Sequence, residues 1–320
     1  MKRAWVVATF GLLFTQAVFA QAWPERPIHL VVPFTPGGNV DVAARIVAQG
    51  MAEDLKQPVI VENKAGANAA IGAEFVARAK PDGYTALFAT AETHALNPYL
   101  RKSLPYDPLK ELPAVGIVDR FPFSIVVSPG VPAKDLRQFI DYAKANPGKL
   151  NFGTIATGST QHLSAELFKL ATGVQAPIVI YKTTPELVTA ILRGDVDVGF
   201  DYYAAFGPSI VNKQFKVIAT SGEQRSPQLP AVPTVKESGY PDFVVTSWNA
   251  IQGPAGVPKD IVTKLNEHIV AALKTPEIQA RMGDLGIHPM IGSPEFLDER
   301  MKSEIAKWAK VIQAAGVEKQ

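Results

Sequence analysis

Apolar residues in this chain follow two alternating rhythms: short continuous runs, and runs whose members recur every three or four positions. Continuous runs of four to eight bounded by turn residues predict buried strands, and the longer spacing predicts amphipathic helices. "IHLVV" reads as a strand, and Val40 to Leu55 as a helix with Val40, Ala44, Val47, Met51 and Leu55 on one face. "PVIVEN" is the next strand, "AAIGAEFVARAK" the next helix, closed by Pro81-Asp82-Gly83, and "TALFAT" a third strand. Strands that alternate with helices predict a parallel sheet in an α/β layer architecture.

The punctuation changes near Phe121. "FSIVV", a helix ending at the "NPG" turn, "KLNFGT", a helix in "STQHLSAELFKLATG", "APIVIY", a helix in "PELVTAILRGD", "VDVGFD" and "FKVIATS" form a second βαβ series. Beyond the turn-rich "RSPQLPAVPTVKESGYPDF" lie "VVTSWNAIQGPAG", a helix from Lys259 to Leu273, a short one from Glu277 to Leu285, and a last one from Pro294 to Ala314. The terminal helices carry no strand of their own, so the economical solution returns them to the first sheet. The expected division is 21–122 with 246–320 as domain 1 and 123–245 as domain 2. Two crossings make a hinge, and a hinge leaves a cleft.

Two loops run from a predicted strand into a predicted helix, one in each domain. Phe34 to Asn39 holds Gly37 and Gly38 with Asp41 just behind, and Gly153 to His162 holds Gly153, Gly158 and the hydroxyls of Thr154, Thr157, Ser159 and Thr160. Helix N-termini beyond the carboxyl ends of strands leave backbone N–H groups free for an anion. Each residue has a plainer reading too. Ser159 or Thr160 can be an N-cap, and Asp41 can do no more than complement its helix's positive end. Of "FDYYAAF", Phe200 belongs to the core pattern, while Tyr202 and Tyr203 lie past the strand end, nearer a cleft.

Composition narrows the partners. At the N-terminus Lys2 and Arg3 precede "AWVVATFGLLFTQAVF" and Val18-Phe19-Ala20, the pattern of a signal peptide over residues 1–20 cut after Ala20, with a signal anchor as the other reading. The chain has 320 residues and no cysteine, which excludes disulfides, thiol catalysis and thiolate zinc sites, and suits a periplasm. It carries 32 Lys+Arg against 30 Asp+Glu, so removing Lys2 and Arg3 leaves a neutral chain with no basic face for nucleic acid. G-x-S-x-G, H-E-x-x-H, and G-x-G-x-x-G after the first strand are missing; "GANAAIG" lacks the Lys-Ser/Thr of a phosphate loop. His162 and Glu166, four apart, are a weak metal pair. No catalytic residue, metal or cofactor is expected.

Ordered segments from Trp23 to Val317 resemble one family throughout. "WPERPIHLVVPFTPGG" with Asp41, "VIVENKAG" with "IGAEFVARAKPDGYT", "LPYDPLKEL", "NPGKLNFGT" leading to "GSTQHLSAELF", "RSPQLPAVPTVKESG", "TSWNAIQGPAGVP" and "EIAKWAKVIQAAGV" are similar to the periplasmic receptors of the tripartite tricarboxylate transporter family, also called Bordetella uptake gene receptors. The resemblance implies an α/β, two-domain periplasmic binding protein of type II, a Venus flytrap with its ligand cleft between domains. It implies a monomer that is no enzyme and that captures a small carboxylate for large and small membrane transporter subunits. Carried over by position, the ligand contacts are Phe34, Gly37, Gly38 and Asp41, then Thr154, Thr157, Ser159, Thr160, Gln161 and His162. Thr93, Tyr181 and Asp201 are weaker members of the set.

The departures bear on specificity. Lys64, Asn68, Ala69 and Ala156 stand where the family often has arginine or glycine, and Ile180 and Thr183 where Pro and Gly are usual. With the aromatic cluster, these bulkier walls suggest a flat or apolar ligand body, terephthalate ahead of citrate. A sensor that docks on a membrane signalling protein, or an exported hydrolase or isomerase using Asp41, His162 and Asp201, are the alternatives.

Overall fold

The computed structural model describes residues 23–319. The expected signal peptide lies outside them. The first βαβ run is β1 (Ile28–Val32), α1 (Asn39–Leu55), β2 (Val59–Asn63), α2 (Ala70–Ala77) and β3 (Thr85–Thr90). β1 pairs in parallel with β2 on one side and β3 on the other. A π-helical turn, Glu92–Leu96, and α3 (Asn97–Leu100) follow.

The sequence pattern read "FSIVV" as a strand but left 91–122 unread, and that strand extends back to Ala114 as β4 (Ala114–Val127), the longest among the described residues. Asp119, Arg120 and Pro122 interrupt its apolar run and hide it. β4 belongs to two pairings in succession. Its first part, to Pro122, runs antiparallel to β9 (Thr246–Gln252), which also pairs antiparallel with β3. From Phe123 onward it lies between β7 (Val198–Tyr202) and β8 (Lys216–Thr220). β5 (Phe152–Ile155) and β6 (Ile178–Tyr181) extend that second part in parallel with β7. The strand order is therefore β2-β1-β3-β9-β4-β7-β5-β6, and the sheet is mixed rather than purely parallel. β4 and β9 are joined by long excursions, so they run against their neighbours; only the βαβ units impose parallel pairing.

α4 (Leu136–Ala145), α5 (Thr160–Thr172) and α6 (Thr184–Arg193) cover the second part, and α7 (Tyr203–Val211) follows β7 directly. The aromatic cluster thus starts a helix that Gly207 and Pro208 conceal from the pattern. α8 (Lys259–Lys274), α9 (Pro276–Asp284), the short β10 (His288–Pro289) and α10 (Pro294–Ala315) complete the chain. α8 packs on α1 and β4, and α10 lies against β4, α5 and the π-turn. α10 therefore joins both parts: its Trp308, Val311 and Ile312 share one buried cluster with Leu163 and Phe168 of α5 and with Leu96 and Leu100. Among the described residues, no helix is long and apolar enough to cross a membrane.

Candidate functional site and family

Both loops fall at the carboxyl ends of parallel strands, β1 and β5, where each runs into a helix. Thr35 to Asn39 are exposed and Phe34 is half-buried. Gly38 is the N-cap of α1 with no side-chain cap, so the first-turn N–H groups face solvent without a partner inside the helix. Asp41 is buried, and its carboxylate braces the loop from within. Oδ2 accepts from Gly37 N at 2.9 Å and Arg45 Nε at 3.0 Å, and Oδ1 accepts from Asn63 Nδ2 at 2.8 Å. Asn63 Nδ2 also donates to the Phe34 carbonyl at 3.0 Å. Burial raises the Asp41 pKa, but the hydrogen bonds from Arg45, Gly37 and Asn63 outweigh it and hold the carboxyl below its usual range. Asp41 thus shapes the turn that presents Gly37 and Gly38.

The second loop is more self-contained. Ser159 is the N-cap of α5: its Oγ accepts from His162 N at 3.1 Å and donates to the Ile155 carbonyl at 2.6 Å. Gly158 N donates to His162 Nδ1 at 3.1 Å, which places the ring's proton on Nε2, 4.0 Å from Glu166 Oε1. Burial pushes the His162 pKa down, which keeps the ring neutral. Thr157 is exposed, whereas Thr154 is fully buried and its Oγ1 has no partner. Ala156 N donates to the Tyr181 carbonyl at 3.2 Å, so Tyr181 supports the loop through its backbone.

Sequence reasoning missed Glu92. The residue is 7% exposed, and its carboxylate crosses from the end of β3 to the start of α5. There Oε1 accepts from Thr160 N at 3.3 Å and Thr160 Oγ1 at 3.1 Å. The chain's own anion occupies part of the second helix N-terminus. The signal available was position alone, because Glu92 stands just past the carboxyl end of a parallel strand. Thr160 Oγ1 also lies 2.9 Å from the Tyr202 hydroxyl. Tyr202 stacks on Phe123 with centroids 4.7 Å apart and meets Phe121 edge-on at 4.6 Å. Phe200 and Phe206 are fully buried, and Tyr203 lies against Gly286, where an added Cβ would come within 2.9 Å of the Tyr203 Cβ. Of the cluster's aromatic rings, Tyr202 is the one that meets Thr160.

Thr93 is fully buried and closes its turn, its Oγ1 donating to the Thr90 carbonyl at 2.8 Å. Asp201 is also buried and ties three elements together. It accepts from Gln161 Nε2 at 3.3 Å, Tyr202 N at 2.8 Å and Thr184 Oγ1 at 3.0 Å. Asp41, His162 and Asp201 each engage separate partners, with no hydrogen bond joining any two of them. Among the described residues, no group of three or more His, Asp or Glu could hold a metal.

The departures at Asn68, Ala69 and Ala156 have a backbone cost. Ala67, Asn68, Ala69 and Ala156 hold φ of 49°, 50°, 71° and 50°, the left-handed region that favours glycine, at about 1 kcal/mol or more for each alanine. Cross-links hold the first two: Asn97 Nδ2 donates to the Asn68 carbonyl at 2.8 Å and Arg101 Nη1 to the Ala67 carbonyl at 3.1 Å. Gly158 abuts the same α3, since a Cβ there would lie 2.7 Å from Leu100 Cδ1. The second loop thus rests on α3, beside the strained turn.

Two buried carboxyls make stability depend on pH. Burial pushes Asp119 up to about 7 and Asp201 up to about 6, against the hydrogen bonds each accepts. An unfolded chain releases such protons near pH 4 (about 3.9 for Asp). Between that value and the folded one, the native state holds a proton the unfolded state has lost, so each group's contribution falls as pH rises. Buried His94, held down at about 4 by burial, works in the opposite sense, so a difference isolates the effect. The stability of Asp119→Asn relative to the unmodified chain should climb from about pH 4 to about pH 7 and then level. Urea melts across that range check it, and a flat or falling difference contradicts the assignment.

The fold and sequence have clear relatives. The family profile described as "Tripartite tricarboxylate transporter family receptor" matches residues 43–317. Protein BugT of Bordetella pertussis is 35% identical over 311 residues, 97% of this chain and 95% of that one. The structure "R. palustris Rpa4515 with adipate" superposes with a TM-score of 0.82 at 34% identity, over 93% of this chain and 100% of the other. "MatC (Rpa3494) from Rhodopseudomonas palustris with bound malate" gives 0.76 at 31%, over 91% and 100%. Two-domain periplasmic solute-binding proteins share this fold, and the chain belongs to the tripartite tricarboxylate transporter receptor family.

Proposed function

We propose that this chain captures a small dicarboxylate between the Phe34–Asn39 and Gly153–His162 loops and delivers it, as a periplasmic monomer, to the large and small membrane subunits of a tripartite transporter. The division at 21–122 with 246–320 and 123–245 belongs to this reading. β4 near Pro122 and the Val245–Thr246 step are its two crossings, and domain closure about them brings the loops together.

One observation carries the reading: the uncapped, solvent-facing N-terminus of α1, held open by Asp41, Arg45 and Asn63. A carboxylate satisfies such N–H groups without a buried cationic side chain. Gly37, Gly38 and the Phe34 backbone are the contacts on one side. On the other, Thr157, Ser159, Thr160 and Gln161 surround the entry, with Thr154, His162, Tyr181, Thr93 and Asp201 supporting them. Relatives solved with adipate and malate favour an aliphatic dicarboxylate. With Phe200 and Phe206 in the core, the aromatic wall that suggested terephthalate is reduced to Tyr202.

A thermal-shift screen of the chain from Gln21 onward against adipate, malate, citrate and terephthalate tests this. A ligand bound only by the folded state adds about 2.7 kcal/mol at a hundredfold excess over Kd. The expected result is a clear rise for a dicarboxylate recovered chemically unchanged. A flat response, or a product in the recovered ligand, overturns the proposal.

A further inference from the structure

A recess of about 140 Å³ opens at the hinge, lined by Arg120 and Pro122 of β4, Thr246 of β9, His288 of β10 and the Gly222–Arg225 segment that follows β8. Its walls come from both parts of the sheet, since Gly222–Arg225 belongs to the second and His288 pairs with Arg120 in the first. It lies on the face away from Glu92 and Thr160. Side chains alternate along a strand: Phe121 and Phe123 both meet the Tyr202 ring, which reaches Thr160, so Arg120 and Pro122 face the other way.

The charge around this recess is one-sided. Among the described residues, Arg120 makes no side-chain hydrogen bond or ion pair. Arg300 of α10 lies behind the Thr246 wall, its Nη2 donating to Thr246 Oγ1 at 3.2 Å, while its buried Nε has no partner. Burial, with the charge of Arg120 adding to it, disfavours the Arg300 cation, and the same two causes push His288 down; Glu304 alone pulls Arg300 the other way. The nearby acids are already used. Glu223 pairs with Lys236, Glu237 with Arg225 at 2.9 Å, and Glu304 accepts from Trp308 Nε1 at 2.8 Å and lies 3.6 Å from Lys307 Nζ. Arg120 and His288 therefore line the recess and the Arg300 guanidinium stands behind Thr246, while Glu223, the acid on the wall, is already paired with Lys236. Planar N–H forks of this kind match oxyanions.

We propose that this recess is a second anion site, behind the hinge and separate from the cleft, where Arg120 and His288 hold a small dianionic oxyanion of phosphate size against the Gly222–Arg225 segment, with the charge of Arg300 behind Thr246 adding to theirs. Because both halves wall it, an occupant that contacts them unequally in the open and closed states biases closure.

Titration calorimetry of the chain from Gln21, with inorganic phosphate at low ionic strength, tests the site. The expected result is saturable one-to-one binding that Arg120→Gln weakens about tenfold or more and Thr160→Val in the cleft leaves unchanged. Arg300→Gln serves as the second variant should Arg120→Gln fold poorly, and it should weaken binding to a similar extent. Absence of saturable binding by the unmodified chain overturns the site. So does binding that Thr160→Val abolishes, or that survives both arginine substitutions.

Discussion

Trp308→Ala should lower the unfolding free energy by about 3–5 kcal/mol, the range for emptying a large buried aromatic site. Trp308 is fully buried and sits on the last helix, α10, in the cluster that also takes in Phe123, Leu163, Phe168 and Phe243. Its Nε1 donates to Glu304 Oε2 at 2.8 Å, and Glu304 is itself 8% exposed, so the truncation also leaves a buried carboxylate short of a donor. The cost should be high because the neighbours come from several elements and cannot all move into the void. Because α10 lies against both α5 and the π-turn, the same substitution should loosen the link between the two parts of the sheet. Denaturant melts followed by circular dichroism measure the first effect. A loss below about 1 kcal/mol, the size expected of a peripheral residue, would mean that α10 is not a structural tie.

Glu92→Gln should tighten dicarboxylate binding, by about thirtyfold. The Glu92 carboxylate already accepts from Thr160 N and Thr160 Oγ1 at the start of α5, where a bound carboxylate is proposed to approach. Like charges about 7 Å apart at an effective dielectric near 20 repel by about 2 kcal/mol. Glutamine removes the charge and keeps an oxygen that can accept the same two hydrogen bonds, so the fold should hold. Calorimetric titration of both proteins with the acid found in the screen reads the change. Unchanged or weaker binding would place the ligand away from Glu92 and remove Thr160 from the contacts. Tighter binding would mark Glu92 as the residue that keeps this receptor from holding anions too well.

Local features were legible because they depend on neighbours along the chain. The strand–turn–helix units from Ile28 to Leu55 and from Phe152 to Thr172 follow from apolar spacing, glycine and an N-cap serine at Ser159. The aromatic cluster shows where that legibility stops. Phe200, Tyr202, Tyr203 and Phe206 look alike in a pattern of residue types, yet β7 and α7 turn two of them into core, one onto Thr160, and one against Gly286. Asp41 reads as a helix-dipole residue or a ligand contact, and the fold makes it the brace of its own loop, because Asn63 arrives on the neighbouring strand β2.

Residue order alone carries the elements of the two βαβ runs and, through many ordered segments, the family. Both rest on short-range periodicity and on residue order, which need no knowledge of what lies beside them. Tertiary contacts alone show that β4 serves both parts of the sheet, that α10 joins them, that Glu92 meets Thr160, and that Arg300 reaches Thr246 on the face of β9 that Arg120 shares. Those arrangements bring together residues far apart along the chain, as Leu96 and Trp308 are at 212 positions. Their energies come from burial and charge in a shared space, which a one-dimensional pattern does not encode.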